Sequence, residues 1–80
     1  MLTLENVKKE NNIISAEYCF SGYKERGFFS YDINQGKFNV LRFGDVEKPE
    51  EVYGFSKVKY LLKQMISYNN YPQTVSCRWY

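Results

Sequence analysis

The chain has 80 residues, of which 44% are hydrophobic and 19% aromatic, and its formal net charge is +2. This many large apolar side chains argues against disorder, and no apolar run approaches the roughly 20 residues that span a bilayer, so we expect a single domain over residues 1–80 and no membrane partner. The N-terminus has neither a basic start nor an apolar signal core, and two isolated cysteines indicate reduced thiols, so we expect a cytoplasmic protein.

The first half of the chain predicts four strands joined as a meander. Short segments rich in aromatic and β-branched residues alternate with turn residues. The turns contain Asn11-Asn12 and Gly36, which tolerate the left-handed backbone of tight turns. The predicted strands are residues 2–7, 13–20, 27–33 and 37–43.

The facing of the strands follows from pairing the second strand with the third. If Phe20 opposes Gly27, then Tyr18 opposes Phe29, and the larger side chains share one face. We interpret this face as the core. The opposite face then carries Cys19 together with several polar residues.

The fourth strand gives a mixed pattern. Leu41 and Phe43 fit the core face, whereas Phe38 and Val40 fit the opposite face, where Phe28 also lies. A bulge near Val40 is one explanation, because one extra residue reverses the facing beyond it. A second explanation is that the opposite face is partly apolar.

The second half begins with a predicted helical turn at Pro49-Glu-Glu, which Gly54 interrupts. Ser56 is the predicted N-cap of the main helix, and Asn69-Asn70 favour its end. Lysines occupy the outer arc of this helix. The inner, apolar arc is formed by Phe55, Val58, Leu61, Leu62, Met65 and Ile66.

A fifth strand is predicted over residues 74–80, with Val75, Cys77 and Trp79 on one side. The fold class is therefore α+β, a five-stranded, mostly antiparallel sheet with the order ββββαβ and one amphipathic helix on one face. Strand five can lie parallel to strand four or antiparallel to strand one, and we favour the second arrangement. Trp79 is predicted to join Tyr18, Phe29 and Leu62 in the core.

The order of elements, the basic helix with its serine cap and the final Trp79-Tyr80 resemble short uncharacterised bacterial proteins of similar length. The resemblance implies a bacterial, cytosolic origin. It implies no activity and no functional residue.

The sequence gives little basis for catalysis. It contains no histidine, so no imidazole base is available to a nucleophile, and neither Cys19 nor Cys77 follows a spacing typical of metal or redox sites. No phosphate-binding glycine loop is present. We therefore expect no enzyme activity, no catalytic or metal-binding residue and no cofactor.

Charge is distributed unevenly along the chain. Residues 1–53 contain seven Lys/Arg and nine Asp/Glu, whereas residues 54–80 contain four Lys/Arg and no acidic side chain. These four, Lys57, Lys59, Lys63 and Arg78, are candidate anion-binding residues for weak binding of nucleic acid or another polyanion. Simple solvation of the outer helix face is the alternative interpretation.

The segment from Arg26 to Tyr31 resembles the start of the RNP1 signature of RRM domains, whose aromatic residues stack on RNA bases. It departs from that signature at Phe29 and Ser30, and no helix separates the first two strands as that fold requires. We therefore favour a surface or interface role for Phe28.

One helix covers one side of a five-stranded sheet, which leaves the other side open. The apolar residues predicted there form a candidate protein interface, for a homodimer or a partner protein. These candidate interface residues are Cys19, Phe28, Phe38 and Val40.

Overall fold

A computed structural model describes residues 1–78 and confirms the predicted α+β order of elements. A short 3-10 turn, Pro49–Glu51, precedes the helix α1, Phe55–Tyr68. The strands are β1 Leu2–Glu10, β2 Ile13–Phe20, β3 Arg26–Asp32, β4 Lys37–Phe43 and β5 Val75–Cys77.

The five strands form one sheet in the order β4-β3-β2-β1-β5, and every neighbouring pair is antiparallel. The preferred placement of the last strand beside the first is confirmed. This strand is shorter than predicted, and the predicted core position of Trp79 lies outside the described residues.

The register predicted between β2 and β3 is wrong by two residues. Tyr18 lies opposite Gly27, and Ala16 lies opposite Phe29. Because side chains alternate with a period of two, this shift leaves each residue on its predicted face. Tyr18 and Phe29 are accordingly both fully buried on the helix side.

The Tyr18 ring explains the observed register. It lies directly over Gly27, where any Cβ atom would collide with the ring. The ring stacks on Phe43 with 5.6 Å between centroids, and the hydroxyl donates a hydrogen bond to the carbonyl of Arg42 at 3.0 Å. The glycine thus provides the space that the largest core side chain of β2 requires.

Two bulges interrupt the ladders. In β4, Val40 opposes Ser30 while Phe38 opposes Tyr31, so Asn39 is the extra residue, which confirms the bulge predicted near Val40. The second bulge, in β1, was not predicted. It contains Asn6, whose φ is 54°.

The helix begins earlier than predicted. Its N-cap is Gly54 with φ of 92°, and no side chain caps it, so the prediction that Ser56 is the cap is wrong. The chain leaves the 3-10 turn in an extended conformation at Val52 and enters the helix through the left-handed conformation of Gly54, which glycine adopts at little cost, so Phe55 is already helical. The predicted apolar arc is confirmed, since Leu62 and its neighbours are buried, and Asn69 ends the helix in a left-handed conformation.

Candidate functional site

The sheet surface opposite α1, called here the open face, is the first candidate. The helix, and Val52 after the 3-10 turn, pack against the core on the other side. No element within residues 1–78 lies over this surface. Its residues include Thr3, Glu5, Ser15, Glu17, Cys19, Arg26, Phe28, Ser30, Val40 and Arg42.

Three of the four predicted interface residues form a diagonal row across the open face. Phe28 is the diagonal neighbour of Cys19 on β2 and of Val40 on β4. Side chains at such positions are within contact distance of one another when one of them is aromatic. Val40 is 40% exposed, and the other two are partly buried.

The placement of Phe38 on the open face is wrong. The bulge at Asn39 turns Phe38 to the helix side, where its ring centroid lies 5.0 Å from that of Tyr31 and 6.0 Å from that of Phe55. Phe38 therefore cannot belong to the same surface as Phe28.

Charged side chains surround the diagonal row. One guanidinium nitrogen of Arg26 lies 2.8 Å from Glu5 and 3.4 Å from Glu17. The hydrogen bond and the positive charge of Arg26 lower the pKa of Glu5, and the same contacts raise the pKa of Arg26. The guanidinium of Arg42 lies 5.1 Å from the centroid of the Phe28 ring, a cation–π contact.

These charged contacts were missed at the level of sequence. Glu5 and Glu17 lie in the first two predicted strands, but Arg26 precedes the third, which was predicted over 27–33. The observed strand begins at Arg26, and extending the alternation of β3 by this one residue would have placed Arg26 on the open face. Beside the diagonal row, Arg26 and Arg42 lie on β3 and β4, and Glu5 and Glu17 lie on β1 and β2. Farther along the strands the signs are mixed, since Lys8 of β1 and Asp32 of β3 also lie on the open face.

The two cysteines lie on opposite faces of the sheet. Cys19 pairs with Thr3 on the open face, whereas Cys77 pairs with Leu2 on the core side. Both are free thiols, and their positions prevent a disulfide between them within one chain. Within residues 1–78, no three cysteine or carboxylate side chains gather into a group that could hold a metal ion.

The four predicted anion-binding residues do not form one surface. Lys59 and Lys63 lie on the side of α1 that faces β4. The ammonium of Lys57 lies 5.8 Å from the ring centroid of Tyr60, and Arg78 follows β5 at the opposite edge of the sheet. Nucleic-acid binding by all four residues together stays an untested prediction.

The structure shows a second candidate surface that the sequence did not predict. A groove of about 680 Å³ runs between α1 and β4, and we call it the helix–strand groove. Sequence reasoning missed it because Phe38, part of its wall, was assigned to the open face. Its main lining residues are Tyr31, Lys37, Phe38, Leu41, Glu50, Phe55, Lys59, Leu62, Lys63 and Ile66.

Among the described residues, α1 is the longest helix, and no helix there is both long and apolar enough to cross a bilayer.

In comparisons with protein-family models, with curated proteins and with solved structures, nothing matches the chain. A function can therefore be inferred only from the geometry of these surfaces.

Proposed function

We propose that this chain is a small, non-catalytic, cytoplasmic domain that acts by protein association, and that it forms a homodimer through its open face. The observation that carries the proposal is the diagonal row of Cys19, Phe28 and Val40 on a sheet face that no described element covers. Apolar side chains grouped on an uncovered face are typical of protein interfaces.

The charges on the open face favour a second copy as the partner. A twofold axis that runs parallel to the strands, between β2 and β3, places β4 of one copy over β1 of the other and β3 over β2. Arg42 of one copy then lies at the level of Glu5 and Glu17 of its mate. Such complementary charge fixes the orientation of an interface more than its affinity.

The two thiols support the cytoplasmic location. Cys19 and Cys77 lie on opposite faces and are unpaired, which is the usual state of cysteines in a reducing compartment.

The proposal is tested by size-exclusion chromatography with light scattering over a range of protein concentrations. We expect a dimer for the wild type and at least a tenfold weaker dimer for Phe28→Ser, because aromatic residues near the centre of an interface carry much of the binding energy. Tyr68→Ser is the matched control, since Tyr68 is 75% exposed on the helix, and it should leave the dimer intact.

Circular dichroism checks that each variant is folded. A wild type that remains monomeric at millimolar concentration contradicts the proposal. Unfolding of Phe28→Ser would also contradict it, since Phe28 would then be needed for the fold rather than for association.

A further inference from the structure

The helix–strand groove lies on the helix side of the sheet, opposite the open face, and it presents an apolar surface. Phe38 and Leu41 of β4 form one wall, and Leu62 and Ile66 of α1 form the other. Phe38, Leu41 and Ile66 are partly exposed although they pack against the core. The volume of about 680 Å³ falls within the range of about 300–1,000 Å³ usual for small-molecule sites.

Positive charge lies along the helix wall of this groove. Lys59 and Lys63 are one helical turn apart, about 6 Å along the axis of α1. Lys37 borders the groove at the start of β4, although its pairing with Asp32 places its side chain towards the open face. The ammonium of Lys59 lies 5.9 Å from the centroid of the Phe55 ring, so its charge is held beside the apolar wall. Glu50 is the one carboxylate among the lining residues.

None of these three lysines forms an ion pair within residues 1–78, where the ion pairs involve Arg26 and Lys48. The lysines Lys59 and Lys63 also belong to the segment that contains no acidic side chain. The groove therefore combines an apolar wall with an excess of unpaired positive charge. A ligand that matches both features needs an apolar body and an anionic group.

We propose that the helix–strand groove binds a small organic carboxylate with an aliphatic or aromatic body. The body lies against Phe38, Leu62 and Ile66, and the carboxylate accepts hydrogen bonds from the ammonium groups of Lys59 and Lys63. Burial of the apolar body supplies most of the affinity, and the lysines select for the negative charge. This proposal does not depend on self-association through the open face.

The test uses three straight-chain probes of eight carbon atoms each: octanoate, octanol and octylammonium. Each is titrated into ¹⁵N-labelled protein below its solubility limit or micelle-forming concentration, and the amide chemical shifts are followed. We expect saturable binding of octanoate with shifts concentrated at residues 37–41 and 59–66. Octanol should bind several-fold more weakly, and octylammonium should bind most weakly because the lysines repel it.

Two double variants separate the role of the groove lysines from that of net charge. Lys59→Gln with Lys63→Gln should weaken octanoate binding roughly three- to thirtyfold, as expected for two partly exposed charge pairs. Lys8→Gln with Lys24→Gln removes the same charge from exposed positions outside the groove and should leave the affinity unchanged. Ile66→Asp, which adds a carboxylate to the groove, should abolish binding.

Several outcomes would overturn the proposal. Absence of saturable binding by the folded wild type would do so, as would equal affinity for the three probes. Shifts centred on Phe28 and Val40 would place the ligand on the open face instead. A groove filled by a second copy, detected when Leu41→Glu dissociates a dimer, or a groove that takes an acidic peptide but not octanoate, would assign another occupant.

The outcome is independent of the test of the open face. Failure of octanoate binding leaves the effect of Phe28→Ser on the dimer unchanged. Conversely, a monomeric wild type can still bind octanoate in the groove, because the groove lies on the opposite side of the sheet.

Discussion

Replacement of Tyr18 by phenylalanine tests the buried hydroxyl at the centre of the core. Tyr18 is fully buried, and its hydroxyl donates a hydrogen bond of 3.0 Å to the carbonyl of Arg42. Tyr18→Phe keeps the ring, including its stacking on Phe43, but leaves this carbonyl without its side-chain donor. We expect a loss of about 0.5–1.5 kcal/mol in the free energy of unfolding at pH 7.

The pH dependence gives a sharper test. Burial, and secondly the negative charge of Glu50, raise the pKa of Tyr18 from 10.0 to about 12. Because the folded pKa lies above the unfolded one, the stabilisation from the neutral hydroxyl is complete below pH 10 and is lost as the pH rises towards 12. At pH 11, the wild type should have lost about 1.4 kcal/mol through this one group, a loss that Tyr18→Phe cannot show.

The order of stability of the wild type and Tyr18→Phe should therefore reverse between pH 7 and pH 11. The wild type is expected to be more stable at pH 7, and Tyr18→Phe equally or more stable at pH 11. Urea unfolding monitored by circular dichroism at half-unit steps from pH 7 to 11 measures the difference, in which the titration of the other tyrosines and the lysines largely cancels. If the two stability curves run parallel over this range, the hydroxyl of Tyr18 is not desolvated in the folded protein and the reasoning is refuted.

Three further predictions concern the core and the open face. Leu62→Ala should cost about 2–5 kcal/mol in urea unfolding, whereas Lys63→Ala beside it should change stability by less than about 0.5 kcal/mol; a loss below that limit for Leu62→Ala would contradict the helix phase. Gly27→Ala should cost about 1–3 kcal/mol or more, because its methyl group meets the opposing tyrosine ring, and an unchanged denaturation midpoint would contradict that contact. The carboxyl pKa of Glu5, measured by NMR titration, should lie below its ordinary value and rise in Arg26→Gln; equal values in both proteins would exclude the ion pair.

The faces of the strands could be predicted from the sequence, but the register could not. Alternation of large and polar residues assigns Tyr18 and Phe29 to one face under any register of the same parity. The choice between such registers depends on the packing of the Tyr18 ring between Gly27 and Phe43, and Phe43 belongs to a strand beyond the turn that connects β2 and β3. The observed register places the Tyr18 ring above Gly27, the one glycine of β3.

The predicted start of the helix was wrong for a local reason. Ser56 is a favourable N-cap by residue type, and the sequence contains no competing serine, threonine, aspartate or asparagine nearby. The fold instead uses the left-handed conformation of Gly54 to redirect the chain, so that Phe55 already points into the core. Burial of an aromatic side chain outweighed the hydrogen bond that a serine cap would have supplied.

Asn39 determines the character of both candidate surfaces. Without this extra residue, regular alternation would place Phe38 on the same face as Phe28 and Val40 and would make the open face more apolar. With it, Phe38 lies against Tyr31 and Phe55 and lines the groove below the lysines of α1. One inserted residue thus moves a phenylalanine from the proposed protein interface to the proposed ligand site, and the sequence alone offered the bulge only as one of two explanations.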